Sequence, residues 1–380
     1  MQHRRRRKRT LLLPVGVAVA VVAATGGALT WRWKADGPGP DSGEPGGPPA
    51  VARADCAEQG KVPASGSTAQ QNAMKYWIKQ YQRACPPVQI AYNPLGSGAG
   101  VAQFMRGATA FGGSDTPVKP ENAKPAQGVC TGGRAINLPM LGGPIALGYN
   151  VPGVEDLVLD APTLARIFDS KITTWDHPAI RRLNPDAVLP SMPIRAVHRS
   201  DDSGTTQNFQ AYLAGAAPDV WPHPAEKTWH GRGGSSASGS GHVAATVNSA
   251  VGSIGYFELS FASKLRMPTV RVDTGAAEPV PATTKTASAG IAAAEVVGRG
   301  KDMTLKFDYR TSVSGTYPIV LVSYEIVCDK GNAPETLAAL KSFLAYTTSA
   351  DGQRPLSRIH YAPLPESVAH EVRKVVRALQ

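Results

Sequence analysis

Three short runs gather hydrogen-bonding groups directly ahead of apolar helical patterns. ASGSTA (64–69) leads into a segment where Met74, Trp77, Ile78 and Tyr81 recur at helical spacing. PLGSGAG (94–100) leads into Val101, Phe104 and Met105, and SDDSGTT (200–206), behind His198 and Arg199, leads into Phe209, Tyr212 and Leu213. The chemistry on offer is anion binding. The first turn of a helix carries unpaired N–H groups and a partial positive charge. Glycines let the backbone approach a ligand, and Ser or Thr hydroxyls add donors. Capping alone would account for any one of these loops. Three in one chain, one of them beside Arg199, point to a shared oxyanion.

FGGSDTPV (111–118) adds a carboxylate, Asp115. An aspartate in such a turn is ordinarily an Asx-turn or a cap. Inside an anion site it fits only an anion that still carries a proton, because ionised Asp accepts and cannot donate. Phosphate near neutral pH keeps a P–OH for it, whereas sulfate would set two acceptors face to face. One carboxylate thereby selects between them through an unpaired buried group.

The elements that must hold these groups follow an α/β pattern, since the strand-like runs VQIAY and IRAVH precede the second and third loops. A chain of 380 residues with 42% hydrophobic residues, 39 Gly and 32 Pro suits one two-lobed unit or two domains. Its net charge of +11 is concentrated at the start: residues 1–34 hold eight basic groups and no acid. The remainder, at about +3, is no nucleic-acid surface, and no base-stacking aromatic platform accompanies the loops. Residues 11–31 run uncharged behind HRRRRKR, long enough to span a bilayer with the basic flank in the cytoplasm. Segment 1–34 therefore reads as an uncleaved membrane anchor, with a cleaved signal or twin-arginine export as alternatives. Segment 35–55 is a Pro/Gly-rich linker. Everything beyond it should lie on the outer face of the cytoplasmic membrane, or be secreted if the leader is removed. Cys56, Cys85, Cys130 and Cys328 all fall in that exported part. They suggest two disulfides, three pairings being open, and none sits close enough to another for a zinc site.

Taken together, ASGSTAQ, NPLGSGAG, FGGSDTP, LPMLGGPIALGYNVPG, LARIFDSKITTWDHPAI, HRSDDSGTTQNFQAYL, VGSIGYFELSFA, TYPIVLVSYEIVC and HYAPLPESV resemble the phosphate-binding proteins of phosphate-specific ABC transporters, the high-GC Gram-positive type above all. The resemblance runs from about Cys56 to the C-terminus. It implies a type II periplasmic-binding-protein fold, two α/β lobes joined by hinge strands, with 56–142 and 258–380 in lobe 1 and 143–257 in lobe 2. It also implies a phosphate ligand set: the hydroxyl of Thr68, the main-chain N–H of Ala69, Ser97, the proton-accepting Asp115, Arg199 pairing with the ligand and steadying Asp115, and Ser203, Gly204 and Thr205 at a helix start. Asp201 and Asp202 read as loop solvation or capping, not as ligands. No cofactor or metal is implied. The implied partners are inorganic phosphate and a permease–ATPase complex, with the protein a membrane-attached monomer. The leader lacks the lipoprotein cysteine usual in the family.

Two segments stand apart from this pattern. GRGGSSASGSGHVAA (231–245) reads as a mobile loop of lobe 2, a phosphate cradle being the competing reading. PVPATTKTASAGIAAAEVVG reads as a low-complexity stretch entering a surface helix. Against a transport role stand a phosphate receptor or scavenger without a transporter, and a secreted phosphatase. A phosphatase needs a metal cluster or an activated nucleophile. The eight histidines are scattered, no GxSxG or GxxxxGK[ST] run occurs, and His198 reads as a strand end. The chain is therefore expected to bind rather than catalyse.

Overall fold

A computed structural model describes residues 55–119, 121, 128–298 and 300–380. The leader and nearly all of the linker lie outside the described residues, so the expectation of an anchor does too. Among the described residues no helix is long and apolar enough to cross a membrane.

Eight strands form one mixed sheet: β1 (Gly60–Gly66), β2 (Val88–Pro94), β3 (Phe111–Ser114), β4 (Ala135–Asn150), β5 (Arg195–Arg199), β6 (Ser235–Ala237), β7 (Ser253–Glu258) and β8 (Val320–Cys328). Their order across the sheet is β2-β1-β3-β8-β4-β7-β5-β6. The outer strands pair in parallel on both sides, β1 with β2 and β3, and β5 with β6 and β7. The centre is antiparallel, with β8 against β3 and β4, and β4 against β7. Parallel neighbours need crossover connections, which the apolar helical patterns supply. Four helices start beside the candidate loops: α1 (Gln71–Ala84), α2 (Ser97–Met105), α3 (Gly204–Ala216) and α4 (Gly239–Ser249). As the spacing anticipates, α1 buries Met74, Trp77 and Tyr81, α2 buries Phe104, and α3 buries Phe209, Tyr212 and Leu213.

The apolar side chains collect mainly into two clusters. One holds Val62, Met74, Trp77, Tyr81, Phe111 and Phe343 with the C-terminal helices. The other holds Leu164, Phe168, Trp175, Phe209, Trp221 and Tyr256. β4 runs through both. Ile136, Leu138, Met140 and Leu141 belong to the first cluster, and Ile145, Ala146, Leu147 and Tyr149 to the second. Buried on both faces from end to end, it reads as a continuous apolar run rather than an alternating one. Its two prolines sit where they do least damage to the ladder. Pro139 lies at the register shift opposite Ser323 and Tyr324, and Pro144 marks the place where β4 leaves β8 for β7. Apolar residues from Leu259 to Val322 pack in the second cluster, and β8 then carries the chain back toward the first, where Val327 lies.

One expected loop is an ordered element. The 231–245 run is not a mobile loop: Ser235–Ala237 pairs in parallel with Val197–Arg199, and α4 starts at Gly239 with Val243, Ala244 and Val247 buried. The helix expected in the low-complexity stretch is Thr284–Ala292, held by a capping box between Thr283 and Thr286; its Ile291 is buried and packs where β4 has Gly142.

The cysteines pair as Cys56–Cys85 and Cys130–Cys328, spanning 29 and 198 residues. Cys130 and Cys328 sit in a small cluster with Phe104, Val118 and Ile326, tying the end of β8 to the chain that enters β4. In the chain-entropy account the longer loop stabilises by about 5 kcal/mol and the shorter by about 3.5 kcal/mol. Replacing Cys130 and Cys328 by alanine should therefore lower the urea midpoint more than replacing Cys56 and Cys85; the reverse order would contradict this assignment.

Glu258, fully buried at the end of β7, offers a second test. Burial pushes its carboxyl up to about 8, against the hydrogen bonds it receives from the Ser260 amide and hydroxyl. Below its ordinary value of 4.5 the group is protonated in folded and unfolded chains alike. Between there and about 8 only the folded chain holds the proton, so stability falls as pH rises, by on the order of a few kcal/mol. Glu258→Gln, which stays neutral, should flatten stability between pH 5 and about 8.5 in chemical denaturation. A slope equal to wild type would show that Glu258 is ionised in the fold.

Candidate functional site

The three loops meet at one place, and a fourth helix start joins them. Asp115, directly after β3, is 2% exposed and Arg199, the last residue of β5, is also 2% exposed. Between them lie the starts of α2, α3 and α4 and the loop ahead of α1. Contacts cross between elements of the first apolar cluster and elements of the second. The Gly98 amide donates to the Asp202 carbonyl at 2.9 Å, and the Thr205 hydroxyl to Asp115 Oδ2 at 3.0 Å.

The start of α3 is shaped for close approach. Ser203 is its N-cap, its hydroxyl accepting from the Thr206 amide at 3.2 Å. That leaves the Gly204 and Thr205 amides as first-turn donors. A Cβ on Gly204 would come within 2.7 Å of Ser97 Oγ and 2.8 Å of Asp115 Cβ, so only glycine lets α3 lie this near to Asp115. Asn208 reinforces the approach by donating to the carbonyls of Asp115 and Gly204 at 2.8 and 2.9 Å. An aromatic cluster stands behind the helix. Phe209 and Tyr256 stack at 4.6 Å, and Tyr256 Oη pairs with the Thr206 hydroxyl at 2.7 Å while accepting from the Arg199 amide. One tyrosine thus fixes both the helix start and the main chain that carries the guanidinium.

Asp115 has a donor on each oxygen: Ser323 on Oδ1 at 2.8 Å and Thr205 on Oδ2 at 3.0 Å. Burial pushes its carboxyl up, against the hydrogen bonds from Ser67, Ser323 and Thr205 and the pull of Arg199. With three of about four lone-pair sites engaged, the carboxylate still has room to accept one hydrogen from a ligand. Ser97 accepts from the Asp115 amide at 3.2 Å, which leaves its own proton to give.

Arg199 is held differently from the expectation. Its fork faces Asp201, not Asp115: Nε donates to Oδ1 at 2.8 Å and Nη2 pairs with Oδ2. Charge explains the choice, since a buried guanidinium needs a carboxylate with matching geometry. Burial acts to raise the Asp201 carboxyl, but the bonds and charge of Arg199 and the Gly239 amide override it and hold the group low. The remaining nitrogen, Nη1, reaches Ser240 Oγ at 3.3 Å. Ala69 also differs in detail. Its amide donates to Ser67 Oγ at 3.0 Å, and its carbonyl accepts from Tyr361 Oη at 2.6 Å, so both main-chain groups are anchored.

All eight residues anticipated for the site, Thr68, Ala69, Ser97, Asp115, Arg199, Ser203, Gly204 and Thr205, are buried here. Sequence reasoning missed Ser240, Ser323 and the Arg199-pairing role of Asp201. Ser240 sits in a glycine-serine run entering an apolar helix, the same grammar as the other loops. Ser323 is a lone hydroxyl in the apolar strand VLVSYEIVC. His198 turns away from the site, its ring stacked on Trp229 at 5.1 Å and Nδ1 against the Arg199 carbonyl. Among the described residues no group of three or more His, Cys, Asp or Glu could hold a metal ion.

Known proteins resemble this chain in sequence and in fold. A family model described as a PBP superfamily domain matches residues 51–351. Phosphate-binding protein PstS 3 of Mycobacterium tuberculosis is 42% identical over 333 residues, 87% of this chain and 90% of that protein. Among solved structures, a high-affinity periplasmic phosphate-binding protein with bound phosphate aligns with a TM-score of 0.68 at 18% identity, over 83% of this chain and 93% of that one. A putative phosphate ABC transporter substrate-binding protein from Clostridium perfringens, also with bound phosphate, aligns at 0.58 and 21% identity, over 80% of this chain and all of that one. The solved structures carry the fold and the close relatives carry the kinship: this chain belongs to the PstS phosphate-binding proteins of the PBP superfamily.

Proposed function

We propose that this protein captures inorganic phosphate between two lobes and delivers it to an ABC transporter, without catalysing a reaction. The observation that carries the reading is Asp115: a buried carboxylate set among hydroxyls and helix-start amides, with a guanidinium across from it. Such a site suits an oxyanion that brings its own proton. The ligand set is Thr68, Ser97, Asp115, Arg199, Ser203, Gly204 and Thr205; the Ala69 amide, anticipated as a donor, is taken by Ser67. The names of the relatives support the phosphate and transporter parts. The lobes follow the two apolar clusters, with β4 and β8 as hinge strands. The packing of Leu259 to Val322 in the second cluster then favours a return to lobe 1 along β8 rather than at 258. Ligand contacts from both lobes would make closure depend on phosphate. Outer-face localisation and anchoring through segment 1–34 complete the proposal.

Linkage tests it directly. Phosphate at 100-fold over its dissociation constant should stabilise the full-length chain by about 2.7 kcal/mol, visible as a raised Tm, while sulfate at equal concentration should do nothing. Equal shifts from the two anions would sink the proton-selection argument. Asp115→Asn should weaken phosphate and narrow its advantage over sulfate in calorimetry, because an amide can donate to either anion. Sulfate binding by the wild type should strengthen as pH falls, since a protonated Asp115 is also a donor, and the raised carboxyl brings that change to a higher pH than usual. A sulfate affinity flat from pH 8 to 5 would contradict it. Arg199→Ala should abolish most phosphate affinity, roughly a hundredfold or more for a buried charge-assisted contact; a wild-type isotherm would remove Arg199 from the ligand set.

A further inference from the structure

We infer that Ser240, in the first turn of α4, is a positioning residue that relays the charge of Arg199 to Thr68 and fixes the Thr68 hydroxyl as a donor toward the ligand. The inference rests on the oxyanion reading for its purpose, but its geometry belongs to the chain alone. Ser240 is fully buried. Its Oγ accepts from Arg199 Nη1 at 3.3 Å and lies 3.1 Å from Thr68 Oγ1, and its amide donates to Thr68 Oγ1 at 3.0 Å.

The direction of this chain of hydrogen bonds is set by which groups can donate. A guanidinium only donates, and a hydroxyl has one proton and two acceptor sites. Arg199 therefore fills one lone pair of Ser240 and turns that oxygen toward itself. The positive field then aims the Ser240 proton away, at Thr68. Thr68 Oγ1 receives two hydrogens from Ser240, one from nitrogen and one from oxygen, and both its acceptor sites are used. Its own proton is the one left to give. Hydrogen bonds in series strengthen one another in a buried setting, so Thr68 becomes a better donor than an isolated threonine.

The helix start is built for this contact. Gly239 has φ +75°, a backbone that favours glycine, and its amide donates to Asp201 Oδ1 at 2.8 Å. A Cβ there would come within 3.2 Å of Thr68 Cγ2. Two successive amides of α4 thus hold the two partners, Asp201 behind the guanidinium and Thr68 on the opposite side of the site. A Thr68 locked as donor cannot receive a P–OH. Asp115 is then the group that takes the ligand's proton, which sets the orientation of the bound anion.

The test uses the full-length chain and two readouts. Ser240→Ala should raise the phosphate dissociation constant about tenfold, the cost of one charge-assisted hydrogen bond, and Ser240→Thr should restore most of it. In a Thr68→Val background, Ser240→Ala should add little further loss, because the relay then has no receiver. An equal loss in that background would mark a merely structural role, and no loss in the wild-type background would remove the relay altogether. Hydrogen exchange without added anion gives the second readout. Ser240→Ala should speed exchange in 67–71, and should not do so when Thr68 is already valine. If wild-type protein bound no phosphate, the proposed function would fall, and exchange alone would decide the relay: acceleration cancelled by Thr68→Val upholds it, and unchanged exchange overturns it.

Discussion

A guanidinium buried to 2% exposure is the constraint around which this molecule is arranged. Leaving such a charge without compensation costs several kcal/mol, more than most single contacts return. The chain answers with Asp201, two residues on, which meets the fork of Arg199 edge to edge and is itself backed by the Gly239 amide. The pair is nearly neutral as a unit. It leaves one guanidinium nitrogen directed across the site, toward Ser240. Because β5 ends at Arg199, the same pairing fixes where α3 must begin, and Tyr256 ties the strand's last amide to the first turn of that helix. Charge compensation and backbone geometry are one problem here, and Tyr256, Asp201 and Gly239 solve it together.

Helix starts also stand on both sides of two long central strands. β4 is buried on both faces and crosses from one apolar cluster to the other near Gly142, Gly143 and Pro144. Each cluster can pack independently while the strands pass between them. The donors from the first side, near Thr68 and Ser97, then face those from the second, near Ser203 and Ser240. Contacts such as Gly98 to Asp202 and Thr205 to Asp115 exist only when the sides meet. Under the proposed function, that dependence is what converts ligand binding into a change of shape.

Much of this is legible in the sequence because its signals are local. A glycine-serine run followed by apolar residues at helical spacing specifies a helix start wherever it sits. The three loops around Thr68, Ser97 and Ser203, and the strands before two of them, emerge where the pattern puts them. Asp115 stands out because a carboxylate among anion-binding donors is a local contradiction. Partnership over distance stays hidden. Nothing near Asp201 says that it will take the Arg199 fork, and nothing near Ser323 says that its strand will pass Asp115, 208 residues away. Ser240 escapes for another reason. Four glycines and four serines within 231–240 suggest mobility, and only its parallel pairing beside β5 turns that run into a strand and a helix start.

Ser323 bears on the selector through its place in the fold. β8 is one of the two strands that connect the clusters, and its Ser323 satisfies Oδ1 of Asp115, while α3 from the other side satisfies Oδ2 through Thr205. The carboxylate therefore has its Thr205 bond only when both lobes of the proposed architecture are together, and an open form would lose that donor. Two residues further along β8, Glu325 is buried with neither carboxyl oxygen bonded among the described residues, and burial holds its carboxyl well above the usual range. Burial thus favours its neutral form, which lessens any second negative charge behind Asp115. Were it ionised, its repulsion would push the Asp115 proton affinity higher still and blunt the distinction between an anion that brings a proton and one that does not. Under the proposed function, the apolar lining of the connecting strand is thus part of the selectivity. It favours the neutral form of Glu325 and so leaves Asp115 as the carboxylate that meets the ligand.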